Sequence, residues 1–205
     1  MLLTRLLLER PLFWYHLSVI EFIDLKNKHH VKLIKDVIAY PLKINRDDSG
    51  VLVETLRNDW LEIYGQDREF VMQYFSVTDS GVARDEDVWH YHPNQEDRFV
   101  VAYGEIITAV ADSRENSETF GLLNLFHMQA DRDPYILLIP KKTLHGFMVV
   151  SKTPAVLLNF PTALYNTEEE GRVPYSEAQA KMPDGTPFSW DFVRRNLPQD
   201  LIVKI

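Results

Sequence analysis

The chain has 205 residues, 45% of them hydrophobic and 25% charged, the proportions of a globular domain and too apolar for a disordered one. Thirty acidic against 22 basic side chains give a formal charge of -8, which argues against nucleic acid or an anionic membrane as a partner. Cysteine is absent, so there is no disulfide framework and no thiolate metal site; this fits a cytoplasmic location and leaves His, Asp and Glu to hold any metal.

The first stretch, MLLTRLLLERPLFWYHLSVIEF, is apolar, yet its longest uncharged run, Pro11 to Ile20, is too short for a bilayer, and Glu9 and Glu21 flank it without a cleavage signal. Residues 1–36 are read as an N-terminal appendage that docks on the domain or on a partner subunit, and residues 37–205 as one domain with a C-terminal helical tail. From Val37 onward come short β-rich runs: VLVETL, FVMQYFSV, VWHYH, RFVVAY, EIITAVA, YILLIP, GFMVV and AVLLNF. Stretches such as RDDSG, VTDSG and HPNQED separate them, rich in the residues that tight connections require. Many strands and few helices predict an all-β sandwich or barrel. Helical signals are confined to the ends: the N-terminal appendage, SEAQAKM after Tyr175, and SWDFVRRNL, where Ser189 would cap a short helix running to Leu197. Neither GxGxxG nor a P-loop occurs, so a nucleotide would be held by side chains on a β scaffold, and no organic cofactor is expected.

The chemistry concentrates in VWHYHPNQEDRF. Alternation along a strand points His90 and His92 to one face and Trp89 and Tyr91 to the other. After the turn, Asp97 can return a carboxylate to the same interior, with Glu96 as the alternative. Far along the chain, His145 follows a proline turn in IPKKTLHGF. Imidazoles with a carboxylate suit a divalent ion such as zinc, iron, manganese or nickel. Acid/base histidines without metal and a hydrogen-bonded polar network are the competing readings. Trp89, beside the histidines, is the aromatic singled out for stacking on a substrate. Arg98 is read as a strand-edge residue paired with Asp87 or Glu96, the acidic run Glu168 to Glu170 as a solvated turn, and His29, His30 and His127 are given no role.

The order H-x-H, an acid five residues later, and then P-x-x-x-x-H resembles the metal motifs of the cupins, which would place His90, His92, Asp97 and His145 around one ion. A longer resemblance runs from about Tyr40 to Tyr175. RDDSGVLVETLRNDW, FVMQYFSVTDSGV, YGEIITAVADSRENSETFG, IPKKTLHGFMVVS and LYNTEEEG are similar, in order, to segments of the dTDP-4-dehydrorhamnose 3,5-epimerases. That resemblance implies an RmlC-like cupin, a double-stranded β-helix or jelly-roll barrel with short terminal helices, that forms a homodimer by exchanging an N-terminal strand. It implies an isomerase that needs no metal and acts on a keto sugar, nucleotide-linked, by abstracting a proton beside the carbonyl and returning it on the other face. A histidine paired with an aspartate is the base, a tyrosine the acid, and a lysine with a second histidine steadies the enolate.

Carried onto this chain, the base falls on His90 and the second histidine on His145, with Asp112 placed to orient it. Glu54 matches the glutamate of the first strand. Arg84 matches a phosphate-contacting arginine, displaced by an insertion of about three residues before His90. The lysine falls on Asp97 and the tyrosine on Asn159, which is therefore taken as a substrate contact. The arginine after the first turn falls on Ser49, and the glutamine and asparagine that contact the base fall near Met72 and Tyr74. No aspartate follows in GRVPYSE to partner His90, and Glu177 is the nearest acid there. Exchange of lysine for Asp97, with His92 added, suggests that a cation lost as a side chain is replaced by a metal that assists the same epimerisation. A metal-dependent oxygenase or lyase, or a sugar-binding cupin without catalysis, are the alternatives.

Overall fold

The computed structural model describes residues 20–198, Gln66 excepted. Thirteen strands are present among them: β1 (Phe22–Ile23), β2 (Ile38–Pro41), β3 (Ile44–Asp47), β4 (Gly50–Val53), β5 (Tyr74–Thr78), β6 (Val88–Tyr91), β7 (Asp97–Tyr103), β8 (Glu105–Asp112), β9 (Leu123–Gln129), β10 (Tyr135–Ile139), β11 (Thr143–Val149), β12 (Ala155–Asn159) and β13 (Gly171–Pro174). One sheet has the order β1-β9-β8-β11-β6-β13, a second the order β2-β10-β7-β12-β5, and β3 with β4 makes a separate hairpin. All pairings are antiparallel except that of β1 with β9. This is the all-β cupin barrel that the sequence predicts.

The long strands carry near-continuous apolar runs because both of their faces are covered. Phe99, Val101, Ile106, Val110, Leu137 and Phe147 meet between the two sheets. The other face of the six-stranded sheet, with Trp89, Ile107 and Leu144, is covered by Tyr175, Phe188 and Trp190 from the C-terminal part. The other face of the five-stranded sheet, with Val100, Ile136 and Leu138, is covered by Ile63 and Tyr64 of the short helix α1 (Leu61–Tyr64). Between β7 and β8, Gly104 turns the chain at φ +78°, and a Cβ there would meet Ser151 Oγ at 2.8 Å and Ala155 Cα at 3.0 Å, so the position requires glycine on two counts.

Several expectations change. Residues 20–36 are built into the barrel: Ile23 and Ile34 are buried in the inter-sheet core, and Asn124 of β9 holds the backbone of Ile34 (2.8 Å) and Lys32 (3.1 Å). Residues 1–19, the rest of the predicted appendage, lie outside the described residues. SEAQAKM forms no α-helix, only a single 3-10 turn at Tyr175–Glu177. The predicted terminal helix is present as α2 (Trp190–Arg195), but Ser189 makes no side-chain cap. In FVMQYFSV only the second half is strand, because 70–73 run as an irregular segment into the cavity wall. Strands β1, β2, β3, β9 and β13 were not anticipated. No helix among the described residues is long and apolar enough to cross a membrane.

Candidate active site

Strand β6 sends Trp89 outward and His90 inward, as alternation requires. Antiparallel pairing sets His145 of β11 directly opposite His90, so the rings stand side by side with centroids 5.8 Å apart, and His92 lies 5.4 Å from His145 on its other side. The metal-capable atoms of the three imidazoles all lie within 4.8 Å of one another. From the facing sheet, β7 brings Asp97, which is 2% exposed. Its Oδ2 lies 3.2 Å from His145 Nε2 and 3.5 Å from His92 Nε2, while Oδ1 accepts from Gln95 and Asn159 at 2.9 and 2.8 Å. Burial pushes the Asp97 carboxyl up, but the His145 hydrogen bond, the two imidazole charges and Asn159 outweigh it and bring it down to about 2.

His90 has its own acid. Nε2 is hydrogen-bonded to Asp85 Oδ2, and Nδ1 faces Glu170 Oε1 at 3.8 Å, a contact too long for a hydrogen bond. Asp85 holds the proton on Nε2 and leaves the lone pair on Nδ1, the nitrogen on the Glu170 side. Burial lowers the His90 pKa below its ordinary 6.5, against the raising effect of the Asp85 bond, so the ring is a neutral base at neutral pH. Asp85 sits at φ +56°, a left-handed conformation that aspartate tolerates. Its carbonyl accepts from the Tyr175 hydroxyl at 2.7 Å, and that hydroxyl in turn accepts from Trp190 Nε1 at 2.7 Å. The C-terminal helix thereby braces the acid of the couple.

These groups share a cavity of about 570 Å³, whose walls also include Tyr74, Arg84 and Arg172. Arg84 is anchored to Thr78 Oγ1 at 3.0 Å and Arg172 to Glu170 at 2.9 Å. The structure thus gathers His90, His92, Asp97, His145 and Arg84, with Asn159 immediately behind Asp97. Tyr74, Asp85, Glu170 and Arg172 were missed as site residues.

Other expected site residues fall elsewhere. Trp89 is 0% exposed and packs on Phe188 and Tyr175 at ring distances of 4.4 and 4.9 Å, so it is core and not a stacking platform. Asp112 is opposite Thr143 rather than His145, and its carboxylate is taken by Arg114, Ser117 and Thr119 at 2.8, 2.6 and 2.5 Å; Asp97 is the acid on His145. Glu54 is half exposed and paired with Arg57 at 2.9 Å, away from the cavity of its own chain. Glu177 is exposed, and the partner of His90 is Asp85. Glu96 turns outward to Arg68 at 2.7 Å. Arg98 pairs with neither Asp87 nor Glu96; it is 0% exposed and donates to the carbonyls of Phe160, Ile63, Arg68, Glu69 and Pro161. Glu170, expected in solvent, lines the cavity.

A jelly-roll barrel whose open interior holds a histidine–carboxylate couple beside further imidazoles and guanidinium groups is the architecture of a cupin with a polar interior site. The pattern of dTDP-4-dehydrorhamnose 3,5-epimerase matches residues 32–189, and the chain belongs to that family. It is 40% identical over 145 residues to the probable low-salt glycan biosynthesis epimerase Agl13 of Haloferax volcanii, covering 69% of this chain and 88% of that one. It is 32% identical over 149 residues to the spore coat polysaccharide biosynthesis protein SpsL of Bacillus subtilis, covering 71% and 92%. Among solved structures, the dTDP-6-deoxy-D-glucose-3,5-epimerase RmlC of Legionella pneumophila, in complex with dTDP-4-keto-L-rhamnose, superposes with a TM-score of 0.64 at 27% identity, covering 74% of this chain and 80% of that one.

Proposed function

We propose that this protein epimerises a nucleotide-linked keto sugar in the cytoplasm, with the His90–Asp85 couple as its base. The observation that carries the reading is a neutral, partly buried imidazole whose Nε2 is held by a carboxylate and which lines a cavity large enough for a sugar. Nδ1 takes the proton beside the ketone, and the electron pair moves onto the carbonyl oxygen as an enolate. His92 and His145 are the donors nearest that developing charge, and Arg84 and Arg172 are the cations available to an anionic diphosphate. Glu170 stabilises the imidazolium as it forms. The experiment is solvent-deuterium incorporation into a panel of 4-keto nucleotide sugars, followed by NMR. Label is expected beside the ketone of at least one; a panel left unlabelled at high enzyme concentration overturns the reading.

A divalent ion on the same imidazoles is a second reading, with Asp97 as its carboxylate. It is favoured by the three ligand atoms within 4.8 Å and by His145 Nδ1, which is buried without a hydrogen-bond partner. Such an ion would supply Lewis-acid stabilisation of the enolate. The two readings compete for His90, because an imidazole that holds an ion has no lone pair left for a proton. Metal analysis of untagged protein, beside His92→Ala, separates them: near-stoichiometric metal lost in the variant supports the ion, and metal-free active protein leaves the couple as base.

We also propose a homodimer. Among the described residues β5 is an edge strand that exposes Phe75 (65%) and Val77 (54%), and the β3–β4 hairpin pairs with no other strand and exposes Val51 (52%) and Leu52 (61%). Two apolar elements of this kind on one chain can cover each other in a two-fold assembly.

A further inference from the structure

Inversion at a carbon beside a ketone needs a proton taken from one face and another delivered to the opposite face. His90 accounts for the first. Asn159, at the position where the resemblance places the family's tyrosine, cannot act as the acid, since an amide has no proton to give at neutral pH. It is paired across the sheet with Tyr74 of β5, and its Nδ2 donates to the Tyr74 hydroxyl at 2.8 Å.

We infer that Tyr74 is the general acid of this enzyme, a phenol supplied by the neighbouring strand and held by Asn159. The inference rests on the epimerase reading above. Tyr74 lines the cavity together with His90, but from the five-stranded sheet, whereas His90 stands on the six-stranded one. A sugar ring between the sheets therefore has the base on one face and the phenol on the other. Because the hydroxyl oxygen accepts from Asn159, its single proton is left to point into the cavity. The ring is 46% exposed as a whole, yet its hydroxyl end reaches Asn159, which is 1% exposed. Burial of that end and the nearby Asp97 charge raise the phenol's pKa against the Asn159 bond, so the group stays protonated until it is needed.

The step balances. The C–H bond breaks to His90 Nδ1 and its electron pair forms the enolate. The carbonyl then re-forms as the carbon takes the Tyr74 proton, leaving a tyrosinate that Asn159 solvates. The imidazolium proton returns to the tyrosinate through water, and the enzyme is reset.

The test uses Tyr74→Phe in the full chain, with unchanged circular dichroism and melting as the check on folding. Without the acid, His90 can still remove a proton, exchange it with solvent and return it to the same face. Deuterium incorporation with retention should persist within about 10-fold of wild type, while inversion falls by about 10²-fold or more. Inversion at the wild-type rate, or exchange and inversion falling by the same factor, overturns the role. A wild-type enzyme that neither exchanges nor inverts sinks the epimerase reading itself, and this is distinguishable because it is seen before any substitution.

Discussion

Asp85 shows that the carboxylate partner of His90 need not lie where the order of residues led one to expect it. It lies five residues before His90, in the insertion that displaces Arg84, and the left-handed backbone at Asp85 turns its carboxylate back onto the imidazole. Asp85→Asn should lower kcat by about 10²-fold or more with little change in KM. The sign of its pH effect follows from the causes at His90: burial lowers the pKa and Asp85 raises it. The acid limb of kcat/KM should therefore lie below 6.5 in the wild type and move further down in Asp85→Asn; a limb that moves up would contradict the assignment. Asp97 provides a stability test. Its folded pKa, about 2, is below the ordinary 3.8, so its contribution is complete above about pH 4 and is lost as pH falls through about 2, amounting to about 2 kcal/mol. Acid unfolding followed by fluorescence should show this limb in the wild type and not in Asp97→Asn. Histidines two apart with an acid five further on made His92 and Asp97 legible; Asp85, Glu170 and Tyr74 were not, because each reaches the cavity through a turn or a cross-strand pairing with no local pattern.

At the scale of elements, β7 carries two opposite tasks on adjacent residues. Asp97 faces the cavity, and Arg98 faces the layer beneath, where its guanidinium lies 4.4 Å from the Tyr64 ring and ties the 63–69 segment to Phe160 and Pro161. A guanidinium offers five donors in a fixed planar fork, enough for these spread-out carbonyls, where a lysine ammonium has three donors at a single point. Arg98→Met should destabilise the fold by about 3 kcal/mol, since the carbonyls would be buried without donors, and Arg98→Lys should recover little of it; thermal or urea unfolding measures both. Because Arg98 borders Asp97, loosening it should also perturb the imidazole cluster. Sequence polarity marked Arg98 as an edge residue, and only the covering segment around α1, which has no strong pattern of its own, turns that position into an interior one. Strand β9 escaped notice for a related reason: Asn124 and His127 interrupt its apolar run, and both are used by the barrel, Asn124 by the Lys32–Ile34 backbone and His127 by Glu105 at 3.0 Å.

For the whole molecule, sedimentation velocity should find a dimer, and the double substitution Val51→Lys, Phe75→Lys should yield a folded monomer, because a lysine on each apolar element costs the interface more than the exposed surface. A wild-type monomer at micromolar concentration would leave those side chains unexplained. The sequence alone determined that the chain is an all-β cupin and that His90, His92, Asp97 and His145 face one interior. Strand alternation, turn composition and the order of the motifs are local properties, and they survive without coordinates. Only the tertiary structure decided that Trp89 and Asp112 serve the scaffold, that Asp85 is the acid on His90, and that a phenol faces it from the other sheet. Those assignments depend on which strands lie side by side and on which segments cover each face, and such long-range contacts are set by the packing of the two sheets as a whole.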